Sequence, residues 1–116
     1  VHACGSERVL VRDLKEAMGF RGWVMSDWWA VHSAEAAVRG VDQEMPGTPA
    51  GKRAAYFDSS GLQAQHADLP DMAARVLSGM ITSGAIHNEA CRVGCNCEEP
   101  LYKTVATSSE HRMIAR

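Results

Sequence analysis

Apolar positions along the chain fall on a helical period in two stretches and form a short continuous run in a third. Within residues 6–18, Val9, Leu10, Leu14, Ala17 and Met18 recur at spacings of three and four, Ser6 can cap the start, and Gly19 follows as a stop. This spacing predicts an amphipathic helix. After the turn Phe20-Arg21-Gly22, the run Trp23-Val24-Met25-Ser26 is bounded by Gly and Asp, which suits a strand buried in a parallel sheet. A helix followed closely by such a strand is half of an α/β unit. Asp27 to His32 make a loop, Ser33 opens a short Ala-rich helix to about Arg39 that Gly40 ends, and residues 41–44 suit a second short strand.

The stretch Met45-Pro46-Gly47-Thr48-Pro49-Ala50-Gly51 holds two Pro and two Gly in seven residues and can continue neither element, so it reads as a loop. A second long helix is predicted over residues 69–83. Leu69, Met72, Val76, Leu77, Met80 and Ile81 share one face, Pro70 lies near the start, and Gly84 follows the end. Periodicity vanishes between His87 and Leu101, which marks a loop or linker. Thr107-Ser108-Ser109-Glu110 matches a capping box ahead of a last helix.

Composition adds little to this pattern. Twelve Lys and Arg against 14 Asp and Glu leave a formal charge of −2, so no basic footprint favours nucleic acid or an anionic membrane surface. No apolar run approaches the ~20 residues of a spanning helix, and the first residues lack a signal-peptide layout. The chain starts at Val1 rather than Met and stops at Arg116 within a predicted helix, so it reads as a piece of something longer. Three of the four cysteines, Cys91, Cys95 and Cys97, crowd together downstream of His87, with Cys4 far away. Their spacing matches no paired zinc pattern, and loop thiols or one local disulfide is the preferred reading over a metal site.

The informative segment runs from Gly19 to Trp29. It puts a carboxylate, Asp27, where a buried strand emerges at its C-terminal end, the end that faces the active site in parallel α/β folds and in (β/α)8 barrels. Trp28 and Trp29 beside it offer faces that stack on sugars and restrict water. The competing reading makes Asp27 a turn cap and the Trp pair core.

Two motifs in order then carry a resemblance. Gly19-Phe20-Arg21-Gly22-Trp23-Val24-Met25-Ser26-Asp27-Trp28 and Gly40-Val41-Asp42-Gln43-Glu44-Met45-Pro46-Gly47 bracket a short helix, and the pair closely resembles glycoside hydrolase family 3, the β-glucosidase and β-xylosidase family. Leu69 to Leu77 resembles the helix closing that family's barrel, and Thr107 to Arg116 the helix opening its second domain. The resemblance implies a partial (β/α)8 barrel over residues 1–86, a linker over 87–106, and the start of a second α/β domain at 107–116. It implies a retaining β-glycosidase with Asp27 as nucleophile and Trp28 as a sugar-stacking wall. Trp29 stands where a small residue is common and narrows the cleft or marks a subfamily.

Asp42 matches a residue shaping the pocket beneath the nucleophile loop, with Glu44 and Met45 near it, and His32 is a neighbour of the site or a surface residue. The acid/base belongs to the family's second domain, outside this chain, so the isolated chain is expected to be inactive. A carbohydrate substrate, the remaining segments of a parent chain or a larger assembly, and no cofactor follow from the same resemblance. Secreted, periplasmic or vacuolar placement is compatible with the family. The alternatives are a non-catalytic structural or interaction subunit derived from a barrel segment, and a small metal-binding module built on His87, Cys91, Cys95 and Cys97.

Overall fold

A computed structural model describes residues 2–47, 55–87, 103 and 107–115. The chain divides into two compact units, Val1–Ser83 and Gly84–Arg116. The reading of Cys91, Cys95 and Cys97 as loop thiols or metal ligands lies outside the described residues.

The first unit begins with a helical turn, Ala3–Gly5, and a helix, Arg8–Ala17. Ser6 acts as foreseen at its start: the Val9 N–H donates to its hydroxyl at 3.4 Å. The winding differs from expectation. The helix is of the π type, and its end is closed by the Met18 N–H on the Asp13 carbonyl, five residues back, at 3.0 Å. An amphipathic stripe separates helix from strand but does not tell i−4 from i−5 winding, because both keep residues three to five apart on one face. Gly19 then leaves in the left-handed region, φ 66°, where a stop glycine belongs.

The two predicted strands meet side by side and parallel but do not form a ladder. One bridge pairs Met25 with Gln43, flanked by Asp42 N–H to Val24 O at 2.8 Å and Ser26 N–H to Gln43 O at 2.9 Å. Among the described residues no third segment pairs with them, and a two-stranded pair alone is marginal. Within this chain Met25 is 45% exposed, between half-buried Val24 and buried Ser26.

The short helix after the first strand shrinks to one 3-10 turn, Ala34–Ala36, followed by turns to Gly40. Gly40 explains the tight return. Its φ is 107°, and an added Cβ would lie 2.8 Å from the Leu10 Cβ, so only glycine lets this corner press on the first helix. Leu10, Val31, Ala36 and Val41 form the buried cluster that results, with Cys4, Val24, Tyr56 and Phe57 packed against it.

A helix the apolar pattern does not flag, α1 (Ser59–Ala64), starts where the Asp58 carboxylate accepts the Gly61 N–H at 2.6 Å and the Ser60 hydroxyl at 2.8 Å. Then α2 (Leu69–Thr82) matches its expected span, with Asp68 accepting the Asp71 N–H at 3.1 Å, Pro70 in the first turn and Gly84 at φ 72° beyond the end. Two contacts fix α2 on the first strand segment. Arg75 donates to the carbonyls of Phe20 at 3.1 Å and Gly22 at 3.4 Å, and Gly79 leaves room for the Trp23 ring, which a Cβ there would strike.

In the second unit a 3-10 turn, Ala85–His87, and a short helix, α3 (Ser109–Ile114), are described. The capping box exists one residue later than foreseen. Ser108, not Thr107, accepts an N–H, that of His111 at 3.1 Å, and the His111 ring takes the return role expected of Glu110. A ring nitrogen can accept a backbone N–H as a carboxylate does, a substitution the usual pattern does not include.

Candidate functional site

Ser26 ends the first strand segment and is 1% exposed. Its hydroxyl accepts the Met45 N–H at 2.9 Å, and three residues on the Trp29 N–H donates to the Met45 carbonyl at 3.1 Å. The loop carrying Asp27 is thus stapled at both ends to one residue of the second motif. Between the staples the Ala30 N–H closes a turn on the Asp27 carbonyl at 3.2 Å. Asp27 is exposed, and among the described residues its carboxylate has no hydrogen-bond partner, so it does not cap the turn through its side chain.

Trp28 and Trp29 have φ of 32° and 57°, and both are exposed, at 45% and 56%. Left-handed backbone costs a bulky residue roughly 1–2 kcal/mol, and here it recurs at two consecutive Trp beside the carboxylate. Such strain persists only where surrounding bonds hold it, and it gathers at functional sites. Within this chain neither Trp belongs to the buried cluster of Leu10, Val31, Ala36 and Val41.

The other predicted residues disperse around this loop. Asp42, 7% exposed, accepts the Lys15 ammonium at 2.6 Å on one oxygen and the Val24 N–H at 2.7 Å on the other. This pair ties the π-type helix to the strand segment. Glu44 accepts the Phe57 N–H at 2.7 Å and so anchors the approach to α1. Both are thus engaged in backbone or ion-pair bonds. His32 is exposed and stacks on His2, ring centroids 4.1 Å apart. Met45 contributes through its backbone, as the staple.

Clefts among the described residues of the first unit include one of about 600 Å³ at Lys15, Arg21, Asp42, His66 and Arg75, one of about 400 Å³ at Glu44, Phe57, Leu62 and Val76, and a small one at His2, Cys4, His32 and Arg39. Asp27, Trp28 and Trp29 line none of these three. Among the described residues no group of three or more His, Cys, Asp or Glu could hold a metal ion, and no helix is long and apolar enough to cross a membrane.

Sequence reasoning missed Ser26 and Lys15. Ser26 stands inside the first motif and was read as a strand residue, because its partner is 19 positions away. Lys15 carries no signal at all, since a lysine near a helix end reads as solvated.

No family model matches the chain. A β-glucosidase of Wickerhamomyces anomalus is 42% identical over 94 residues, 75% of this chain and 11% of that protein. Two solved structures align over a similar share of this chain. The β-D-glucoside glucohydrolase of Trichoderma reesei has a TM-score of 0.64 at 29% identity, covering 73% of this chain and 13% of that one. DesR, a β-glucosidase of Streptomyces venezuelae in complex with D-glucose, has a TM-score of 0.58 at 29% identity over 75% of this chain and 13% of that one. The chain therefore spans roughly an eighth of the length of the proteins it matches.

Proposed function

From a chain that is glycoside hydrolase family 3-like over about three quarters of its length, we propose that it forms the nucleophile-bearing segment of a retaining β-glycosidase acting on terminal β-linked glucosides or related sugars. The observation that carries this reading is the exposed Asp27 on a strained loop that joins the two family-like motifs through Met45. Residues 1–86 belong in this reading to the closing part of a (β/α)8 barrel, 87–106 to a linker and 107–116 to the start of a second α/β domain. The parallel pairing at Met25 and Gln43 supports the barrel assignment. The non-catalytic alternative gains nothing from relatives named for glucosidase activity.

In the proposed reaction the Asp27 carboxylate attacks the anomeric carbon, a sugar ester forms as the aglycone oxygen leaves, and water then cleaves the ester with retention of configuration. The leaving oxygen needs a proton from a second carboxyl ~5 Å away. Asp42 and Glu44 are engaged elsewhere, and in this reading the acid is the one that the family resemblance assigns to the second domain. Trp28 offers the sugar an aromatic face and Trp29 borders it. Asp42, which ties the first helix to the strand segment, and Glu44, which anchors the approach to α1, act in this reading as supports rather than on the reacting atoms.

The test is chemical rescue in the intact enzyme. Asp27→Ala should lose activity by several orders of magnitude, and azide should restore turnover of an activated aryl β-glucoside while giving the α-glycosyl azide. Near-normal turnover without azide would contradict the assignment.

A further inference from the structure

We infer that Ser26 is a positioning residue for the Asp27 carboxylate, an inference that rests on the reading of Asp27 as nucleophile. The direction of the carboxylate depends on the backbone that carries it. That backbone turns through two Trp in the left-handed region, a conformation that does not hold itself. Two bonds to Met45 hold it. One is the Trp29 N–H on the Met45 carbonyl at 3.1 Å, and the other is the Met45 N–H on the Ser26 hydroxyl at 2.9 Å.

Of these only the second runs through a side chain, that of Ser26, which is 1% exposed while Met45 is half-buried, and loss of the hydroxyl takes away the Met45 N–H's protein partner. Ser26 is itself registered on the second strand segment by its own N–H to the Gln43 carbonyl at 2.9 Å, so the hydroxyl sits at a fixed place. Removing it frees one end of the strained turn and lets the nucleophile wander, while every group that binds sugar stays.

A nucleophile displaced by about 1 Å loses on the order of 10²-fold in rate while ground-state binding is nearly kept. The experiment measures inactivation of the intact enzyme by a 2-deoxy-2-fluoro-β-glucoside with a good leaving group, which reports the attack of the carboxylate alone. Ser26→Ala should slow inactivation at saturating inhibitor by roughly 10–100-fold with little change in the inhibitor's binding constant. Ser26→Thr, which keeps the oxygen, should recover most of the rate. Val41→Ala, a truncation in the buried cluster, should lower stability without slowing inactivation, which separates positioning from loss of fold. If Ser26→Ala does not fold, Ser26→Cys fills the same space with a poor acceptor and should show the same slowing. An inactivation rate in the Ala or Cys variant equal to that of Val41→Ala overturns the inference. Label on Asp27 with such an unchanged rate removes the positioning role only, whereas label on a peptide without Asp27 removes both readings.

Discussion

Asp27, Asp42 and Asp58 are three aspartates in three surroundings, and each calls for a different experiment. Asp42 is buried with Lys15, their side chains 2% and 9% exposed, and breaking such a pair strands the remaining charge. Asp42→Ala should therefore destabilise the folded protein by about 3–5 kcal/mol, read as a shift in the midpoint of chemical unfolding of the intact protein. A smaller loss, under about 1 kcal/mol, would mean that water reaches Lys15 freely.

Asp58 is exposed, and the Gly61 N–H, then the Ser60 hydroxyl, hold its carboxyl below the ordinary value of 3.8. A depressed folded pKa means that the cap stabilises fully above 3.8 and that this support fades as pH falls through the lower folded value. Asp58→Asn keeps a capping oxygen and cannot titrate, so the variant should lose less helix at α1 than the parent when the pH is taken from about 6 to about 2.5. Amide exchange at Gly61 reads this directly. Local chemistry of this sort was legible at Pro70, which announces α2, and not at the caps Asp68 and Asp58, the latter because Gly61 and two serines hide a helix whose only strong signal is its cap.

At the scale of elements, α2 and the corner at Gly40 decide how the pieces fit. Alanine at position 79 gains about 1 kcal/mol of helix propensity, but its Cβ strikes the Trp23 ring, and overpacking of this kind costs about 1–3 kcal/mol. Gly79→Ala should be destabilising on balance, and an increase in stability would show that Trp23 repacks without cost. Gly40→Ala meets both strain at φ 107° and the Leu10 Cβ, so its loss should be the larger of the two.

The apolar stripe foretold α2 and the first helix because burial leaves a period in the sequence. It did not foretell the i−5 winding, and it overstated the strands. Strand propensity records what a segment prefers beside neighbours, and here Val24 to Ser26 has one neighbour among the described residues. The candidate loop stands out in the sequence only in part, for the same reason. Asp27 and Trp28 announce themselves by type and order, while the staple through Ser26 and Met45 joins residues 19 positions apart and leaves no periodic trace.

For the whole molecule, the buried cluster of Leu10, Val31, Ala36 and Val41 is small beside the apolar surface left open. Leu69, Leu77, Met80 and Ile81 of α2 are 37–59% exposed, and full burial of each such side chain is worth about 1.5–3 kcal/mol. The isolated chain of 116 residues should accordingly show weak amide protection and a poor near-ultraviolet tertiary signal, and a cooperative monomeric transition would contradict this.

The central claim, that Asp27 is the nucleophile of a retaining β-glycosidase, has one most direct test. The intact enzyme is treated with a 2-deoxy-2-fluoro-β-glucoside bearing a good leaving group, digested after arginine and lysine, and weighed peptide by peptide. The account predicts the added sugar mass on the peptide of residues 22–39, at Asp27. Sugar on Asp42 or Glu44, or an unlabelled enzyme that has still released its leaving group once, would contradict it.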